Sequence, residues 1–539
     1  MSSLLRLLLG APLVTLLLLL PLVAHVRTQH GHIHDHSHEE QEVTYRAAVL
    51  EYEAYSEWTE EGGMGIVREN AIIIAEYLAQ AKALGVDIMV APEYGIQGME
   101  QHYSLFNNSN FRTLMQFLPD PAENVEPCAL DMAPEHFEAI QILSCAAKAN
   151  QAYLVVNLGE LVPCSNHVYN PFNIAIDERR WCPPGGYHFY NTEIVLDRTG
   201  VVIVKYHKKN LFLEPAYTDG EQPDEAALFT TDFGITFSCQ VCFDIAYYHP
   251  GVSNVDNHDI KDVVMSTSWL DMLPFHIADA VQNAWSRGLG VNLMVAGQHL
   301  PERAKVGSGI YRNFYDKSVN YTYDVDSGNK MIVSDVVSIT SAPITLINKD
   351  HYTTKKDMLY SEVISLESKT KNSGRDHVIY WDDLSNYTHV VLEKGEGLYA
   401  QACHADGLCC DITYTLSSDL IYMLTAYSGT VEKGFGDYNI YTQICGLTWC
   451  ASADDVNSCT HFESGLPEDD AIGPFAISGN TSCEKTYATV FHRDLLLVDN
   501  SLYDFGGNAD NVYTIQTSEP TPNLMSAGLY GRWYSRDPQ

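Results

Sequence analysis

Two cysteines stand three positions apart in SCQVCFDIAYYHP, residues 238–250. That spacing suits a dithiol redox pair, half of a zinc site, or one nucleophile with an unrelated neighbour. Redox pairs of this kind sit at a helix N-terminus, which lowers the first thiol's pKa. Cys239 and Cys242 instead follow GITFS, an extended segment, and residues three apart on a strand point to opposite faces. No second pair stands at zinc-ribbon spacing, because Cys409 and Cys410 are adjacent. The single-nucleophile reading puts Cys242 at a strand end, where open α/β sheets gather their active sites. A thiol nucleophile needs a base and a group that holds charge on the substrate oxygen. Glu93 follows the apolar run IMVAP, and Lys208 follows the run VVIVKYH. A carboxylate, an ammonium and a thiol would then meet above one sheet. Each also has a plainer reading: a solvated turn residue, a surface charge, a bridged cysteine. Residue types and spacing alone leave both readings open.

The elements that would position these groups are visible in the hydrophobic pattern. YRAAVLEYEAY reads as a strand, and RENAIIIAEYLAQAKALG as a helix stopped at Gly85. VDIMVAPEYG reads as a buried strand running into a turn. The cycle repeats with a helix around HFEAIQILSCAAKAN and the strand AYLVVNLGEL. NTEIVLDRTGVVIVKYHKKN is a hairpin turning at DRTG. GITFSCQVCFD and DVVMSTSW follow as strands, then a helix in ADAVQNAWSRG and the strand VNLMVAG. Strands alternating with helices predict a layered α/β domain over 43–338. After about Thr340 the helical periods stop. Short strands such as HVVLEK, DITYTLS, YNIYTQIC and ATVFHRDLLLV remain, together with seven of the 13 cysteines. Residues 339–539 are therefore expected to form a smaller β-rich domain stapled by disulfides.

Charge and composition narrow the setting. A formal net charge of −37 repels nucleic acid and anionic membranes, so neither is an expected partner. At the N-terminus Arg6 precedes an apolar run ending near Ala24, the pattern of an export signal over 1–24. An uncleaved anchor is the alternative, although Pro12 and Pro21 interrupt the run. Residues 25–42, with His30, His32, His34, His36 and His38, read as a solvated leader rather than a metal site, since nothing nearby supplies a second shell. Four sequons, at Asn107, Asn320, Asn386 and Asn480, and an odd number of cysteines fit an oxidising compartment with at least one thiol left over. No apolar tail closes the chain, so no GPI anchor is expected. Oligomeric state is open.

The stretches APEYGI (91–96), KYHKKNLFLEP (205–215) and CFDIAYYHP (242–250) resemble, in order, the Glu, Lys and Cys motifs of the nitrilase superfamily. The chain is most similar to the secreted vanin and biotinidase branch, which also shows a TEIV-type hairpin, a Ser/Thr–Trp element as in MSTSW, an AW helix as in QNAWSRG, GSGIY (307–311) and LCCDITY (408–414). The resemblance implies an α-β-β-α sandwich followed by a vanin-type β domain. It implies an amidohydrolase without cofactor or metal: Glu93 as general base, Lys208 as oxyanion stabiliser, Cys242 as nucleophile and Glu214 as a further carboxylate. Lys208 rather than Lys209 keeps the family register, two residues before Asn210-Leu211. The implied substrate is a small secondary amide, pantetheine first and biocytin second; a non-catalytic ligand carrier is the alternative of another class. Cys239, Tyr94 and Ala246 depart from the branch pattern, which bears on the substrate more than on the chemistry.

Overall fold

The computed structural model describes residues 41–58, 60–98, 110–131, 136–172, 175–177, 181–340, 359–367, 376–433, 438–460 and 470–538. The export signal, nearly all of the His-rich leader and Asn107 lie outside the described residues.

Alternation along the strands explains the layering. In β1 (Gln41–Tyr52), Ala48, Leu50 and Tyr52 pack on one side, and Val43, Tyr45, Ala47 and Val49 on the other. The first set meets helices α1 (Gly63–Ala83) and α2 (Glu138–Asn150). The second set meets a facing layer of strands, where Phe237, Val241, Val264, Met294 and Ala296 close a sheet-on-sheet core. The outer side of that facing layer, through Val263, Met265, Leu293 and Val295, packs on a third helix with Trp285 (α3, Ala278–Leu289). The result is helix, strand, strand, helix.

The strands of both layers belong to one branched, mixed sheet of 13 strands. On one side of β1 run β2 (Ile88–Val90), β3 (Tyr153–Pro163), β4 (Tyr187–Leu196) and β5 (Val202–His207). On the other run β10 (Asn292–Gln298), β8 (Asp262–Thr267), β7 (Thr236–Val241) and β6 (Leu228–Thr230). The β1–β2, β2–β3, β1–β10, β10–β8 and β8–β7 pairs are parallel, so their C-terminal ends gather on one side. The short strand β9 (Met272–Leu273) lies between β8 and β10 in sequence and pairs outside this sheet. The β4–β5 hairpin turns at Asp197–Gly200, where Gly200 takes φ +84° and Asp197 Oδ1 accepts from the Thr199 N–H at 2.8 Å. Helix α1 begins five residues before the expected Arg68, and Gly85 at φ +79° follows its end.

The main sheet continues past residue 339, the expected boundary. β11 (Ser308–Arg312) and β12 (Ser318–Thr322) extend it beside β10, β13 (Lys330–Thr340) pairs with β1, and β14 (Ser361–Ser365) pairs with β13. After β15 (Tyr380–Trp381) two antiparallel sheets form a sandwich. One holds β16 (Thr388–Val391), β19 (Ile421–Lys433), β20 (Tyr438–Cys450), β26 (Leu524–Arg532) and β22 (Lys485–His492). The other holds β17 (Gly395–Cys403), β18 (Cys409–Leu416), β21 (Ala471–Asn480), β24 (Val512–Thr517) and β23 (Tyr503–Gly507), with β25 (Thr521–Pro522) at its edge. The strand expected through ATVFHRDLLLV stops at His492, because Leu495 N–H turns back to the His492 carbonyl at 2.9 Å.

Five disulfides form, Cys128–Cys145, Cys164–Cys182, Cys403–Cys409, Cys410–Cys445 and Cys450–Cys459. Cys239, Cys242 and Cys483 are reduced and buried. Cys410 lies on β18 and Cys445 on β20, so this bond ties the two layers of the sandwich. Changing both to alanine should destabilise the sandwich by about 2–5 kcal/mol, the usual effect of losing a native disulfide. Chemical denaturation followed by tyrosine and tryptophan fluorescence reads this directly, and an unchanged midpoint would show that packing alone holds the layers together.

Candidate active site

Glu93 lies just beyond β2, in a turn that aims it inward. Gly95 N–H closes the turn on the Pro92 carbonyl at 3.0 Å, and Tyr94 sits at φ +59°. The backbone on either side is held from two neighbouring strands. Gln298 Nε2 donates to the Glu93 carbonyl at 2.5 Å, and Tyr94 N–H donates to Asn157 Oδ1 at 3.0 Å. A non-glycine residue at positive φ stores local strain, which persists only where surroundings over-determine it. Glu93 is 1% exposed.

Lys208 follows β5 directly, its N–H bound to the Asn191 carbonyl on β4 at 2.8 Å. Its Nζ donates to Glu93 Oε1 and to Glu214 Oε2, both at 2.7 Å. Burial alone would pull the Lys208 pKa down, but Glu214 and then Glu93 outweigh it and hold the ammonium well above its ordinary value. Glu214 is pushed up by burial and brought below its ordinary value by Lys208. Asn191 braces both carboxylates: its Nδ2 donates to Glu93 Oε1 at 2.9 Å and to Glu214 Oε1 at 2.7 Å, while its Oδ1 accepts from Asn157 Nδ2 at 2.6 Å. The Tyr94 hydroxyl donates to Glu214 as well. Lys209 points elsewhere and pairs with Asp224.

Cys242 is the first residue after β7 and opens a 3₁₀ turn over Cys242–Ala246. Its φ of +48° is a left-handed conformation rarely taken by a side chain of this size. Asp244 sustains it. One Asp244 oxygen accepts from Val241 N–H and Tyr206 Oη, each at 3.0 Å, and the other from Asn210 N–H at 3.0 Å and Asn210 Nδ2 at 2.7 Å. The cysteine turn is thereby tied to the loop that carries Lys208. Burial first, then the negative charge of Glu93, push the Cys242 thiol up to about 12; Lys208 and the Ser268 N–H oppose them. The same Ser268 N–H donates to Glu93 Oε2 at 2.9 Å. Cys239 is buried in the sheet-on-sheet core, its thiol pushed up by burial, and is not bonded to Cys242.

A largely apolar pocket opens beside Cys242. Phe243, Ala246, Trp269 and Trp285 line it from the α/β layer, and Tyr487 and Tyr530 from the sandwich. Two buried polar atoms on its walls, Trp285 Nε1 and Tyr530 Oη, have no hydrogen-bond partner among the described residues. Ala246 thus lines the pocket, whereas Tyr94 supports Glu214. Among the described residues no cluster of His, Cys, Asp and Glu could hold a metal ion.

The chain matches two family models in tandem: the carbon-nitrogen hydrolase model over residues 66–252 and the vanin C-terminal domain model over residues 377–537. The first span contains Glu93, Lys208, Glu214 and Cys242. The chain belongs to the nitrilase superfamily, on its vanin and biotinidase branch. It is 28% identical to a pantetheine hydrolase of Homo sapiens over 91% of this chain and 87% of the relative. It is 29% identical to a pantetheinase of Mus musculus over 88% of this chain and 85% of the relative. It is 27% identical to a biotinidase of Homo sapiens over 88% and 84%. A nitrilase-superfamily chain of this kind is a carbon–nitrogen hydrolase acting on amides.

Sequence reasoning brought Glu93, Lys208, Cys242 and Glu214 forward but passed over Asn191, Ser268 and Asp244. Asn191 opens the NTEIV hairpin and Ser268 closes MSTS, so both stood inside quoted motifs without a role. Of the sequons, Asn386 and Asn480 are exposed, whereas Asn320 Nδ2, the atom a glycan would take, donates to the Val333 carbonyl and Ser334 Oγ at 3.1 Å. The two lysines give a direct test of the geometry. Lys208→Met should lower amide turnover at least about 100-fold, the scale of one lost oxyanion donor. Lys209→Met should stay within about twofold of the parent, since it is partnered away from the site. Steady-state kinetics on both variants checks this, and the reverse order would reassign the site.

Proposed function

We propose that this chain is a secreted amidohydrolase that cleaves a small secondary amide through a thioester on Cys242, with pantetheine as the substrate. The observation that carries the reading is the buried Lys208 ammonium, hydrogen-bonded to Glu93 and Glu214 and acting electrostatically on the Cys242 sulfur.

At rest the thiol is protonated. Glu93 takes the Sγ proton as sulfur attacks the amide carbon. Charge passes to the carbonyl oxygen, which Lys208 and a backbone N–H at the cysteine turn stabilise, an effect of about 3–4 kcal/mol per donor. The tetrahedral adduct collapses, the C–N bond breaks, and Glu93 returns its proton to the leaving amine. Glu93 then draws a proton from water, which attacks the thioester and releases the acid and the free thiol. With pantetheine the products are pantothenate and cysteamine.

The pocket supports a substrate of this size. Its apolar walls bury a flexible arm, and the Trp285 and Tyr530 donors suit acceptor groups along it. Secretion is supported by five disulfides, by the apolar N-terminal run and by the exposed sequons at Asn386 and Asn480. No helix among the described residues is long and apolar enough to cross a membrane.

Cys242→Ala and Glu93→Gln should each abolish amide hydrolysis while the protein remains folded and exported. Near-parental turnover in either variant would remove that residue from its role. The similarity to biotinidase sets up the second measurement. Purified protein should release cysteamine from pantetheine faster than lysine from biocytin, and the opposite order would make biocytin the substrate.

A further inference from the structure

Four lysines are buried among the described residues: Lys205, Lys208, Lys305 and Lys330. Three of them meet a carboxylate. Lys205 reaches Glu160 at 2.9 Å, Lys208 reaches Glu93 and Glu214 at 2.7 Å, and Lys330 reaches Asp324 at 3.4 Å. Lys305 has no carboxylate in hydrogen-bond or ion-pair contact among the described residues. Its Nζ instead donates twice to one residue, to Ser268 O and Ser268 Oγ, both at 2.9 Å. A buried ammonium without a contacting counter-charge is costly, and a neutral side chain would satisfy a serine as well. The arrangement therefore calls for a use of the charge itself.

The geometry supplies one. Lys305 is held rigidly, since Leu300 N–H donates to the Lys305 carbonyl at 2.7 Å and Asp271 N–H donates to the Ala304 carbonyl at 2.8 Å. The residue it grips also carries, in its preceding peptide, the Ser268 N–H, which bonds Glu93 Oε2 and faces the Cys242 sulfur. The ionisable groups that act most on Lys305 are Cys242, Glu93, Lys208 and Glu214, and Asp271 feels its charge as well. With the thiol neutral, Glu93 and Glu214 carry two negative charges, and Lys208 and Lys305 two positive ones. Remove Lys305 and the cluster is left one charge negative before sulfur begins to ionise. We propose that Lys305 is a second cationic element of this active site, fixing the Ser268 N–H on Glu93 and favouring negative charge on the Cys242 sulfur. The inference rests on Cys242 being the nucleophile. Lys305 lies outside both spans matched by the family models, 66–252 and 377–537, so those matches do not account for it.

Burial lowers Lys305 to about 8, so it holds its proton below that pH and loses it above. Its contribution should therefore fade as pH rises through about 8. Asp271 is itself pushed up to about 8 by burial, but it is present in every variant below.

The test compares Lys305→Met, which removes charge and donor, Lys305→Gln, which keeps a donor, and Lys305→Arg, which keeps the charge. Two rates are followed from about pH 6 to 10: kcat/KM for amide hydrolysis, and alkylation of Cys242 by iodoacetamide located by peptide mass spectrometry. Both should fall about tenfold in Met and Gln at pH 7, equivalent to one pKa unit on sulfur, with KM little changed. Arg should recover most of the loss. The decline near pH 8 should vanish in Met and move upward in Arg. If Met fails to fold, Gln carries the comparison alone. Parental alkylation and an unchanged pH profile in the folded neutral variant would overturn the proposal. Alkylation does not depend on turnover. A parent chain that hydrolyses neither amide, yet shows the lysine-dependent thiol, would overturn the amidase reading and leave the effect of Lys305 on sulfur standing.

Discussion

An ammonium sealed from water is the constraint on which this molecule turns. Taking each such ion out of solvent costs several kcal/mol, and only close, well-aligned counter-charges return it. Lys208 is 1% exposed, and it keeps its proton because Glu93, from the turn after β2, and Glu214, from farther along its own loop, contact it at 2.7 Å. The two carboxylates would repel each other, and Asn191 offers one N–H to each. None of the four residues is tolerable at this depth without the others. Their loops have little freedom as a result, which explains why Tyr94 and Cys242 are held at positive φ beside them.

The charge cluster and the apolar pocket divide the work between two parts of the chain. The ends of β2 and β5 supply the charges, and the turn after β7 supplies the sulfur. The sandwich contributes the far wall through Tyr487 and Tyr530. It also reaches the cysteine turn itself. Arg532, on the last strand, is 2% exposed, and its Nε donates to the Ala246 carbonyl at 2.8 Å, while Nη2 meets Asp537 at 2.7 Å. The second sandwich is therefore part of the site's mechanical support, and losing it would loosen the turn at the end opposite to the one that Asp244 secures.

Much of this arrangement was legible in the chain. The apolar run before Glu93 marked a strand tip because a parallel strand is buried on both faces, and the run before Lys208 did so because its hairpin strand is buried along nearly its whole length. The DRTG turn was legible because Asp and Gly there have specific backbone uses. The choice of Lys208 over Lys209 came from the motif register and not from any local physics, since both stand in the same KYHKK run. What stayed hidden depended on contacts distant in sequence. Lys305 and Ser268 are 37 positions apart, and a lysine in PERAKVG reads as surface charge until the fold buries it. The end of the first sheet was misjudged for a similar reason: β14 is short and mostly exposed, and only its pairing with β13 assigns it. Cys483 looked like one more bridge member, yet no free partner is left for it in the sandwich.

The resting protonation state follows from the same electrostatics and bears on why Glu93, the proposed base, is so tightly held. Many thiol enzymes keep a preformed thiolate beside a cation. Here burial and the Glu93 charge hold the proton on Cys242, so the resting sulfur is a neutral thiol. A thiolate formed in advance would place a third negative charge beside Glu93 and Glu214. In the proposed mechanism, passing the proton to Glu93 during attack avoids this, because one negative charge disappears as another forms, and the new one moves on to the carbonyl oxygen facing Lys208. The cluster's total charge stays constant through the step. Such a relay tolerates little slack, since a carboxylate that swung away from sulfur would leave no acceptor for the proton. The Asn191, Ser268 and Lys208 contacts remove that freedom from the Glu93 carboxylate before any substrate binds.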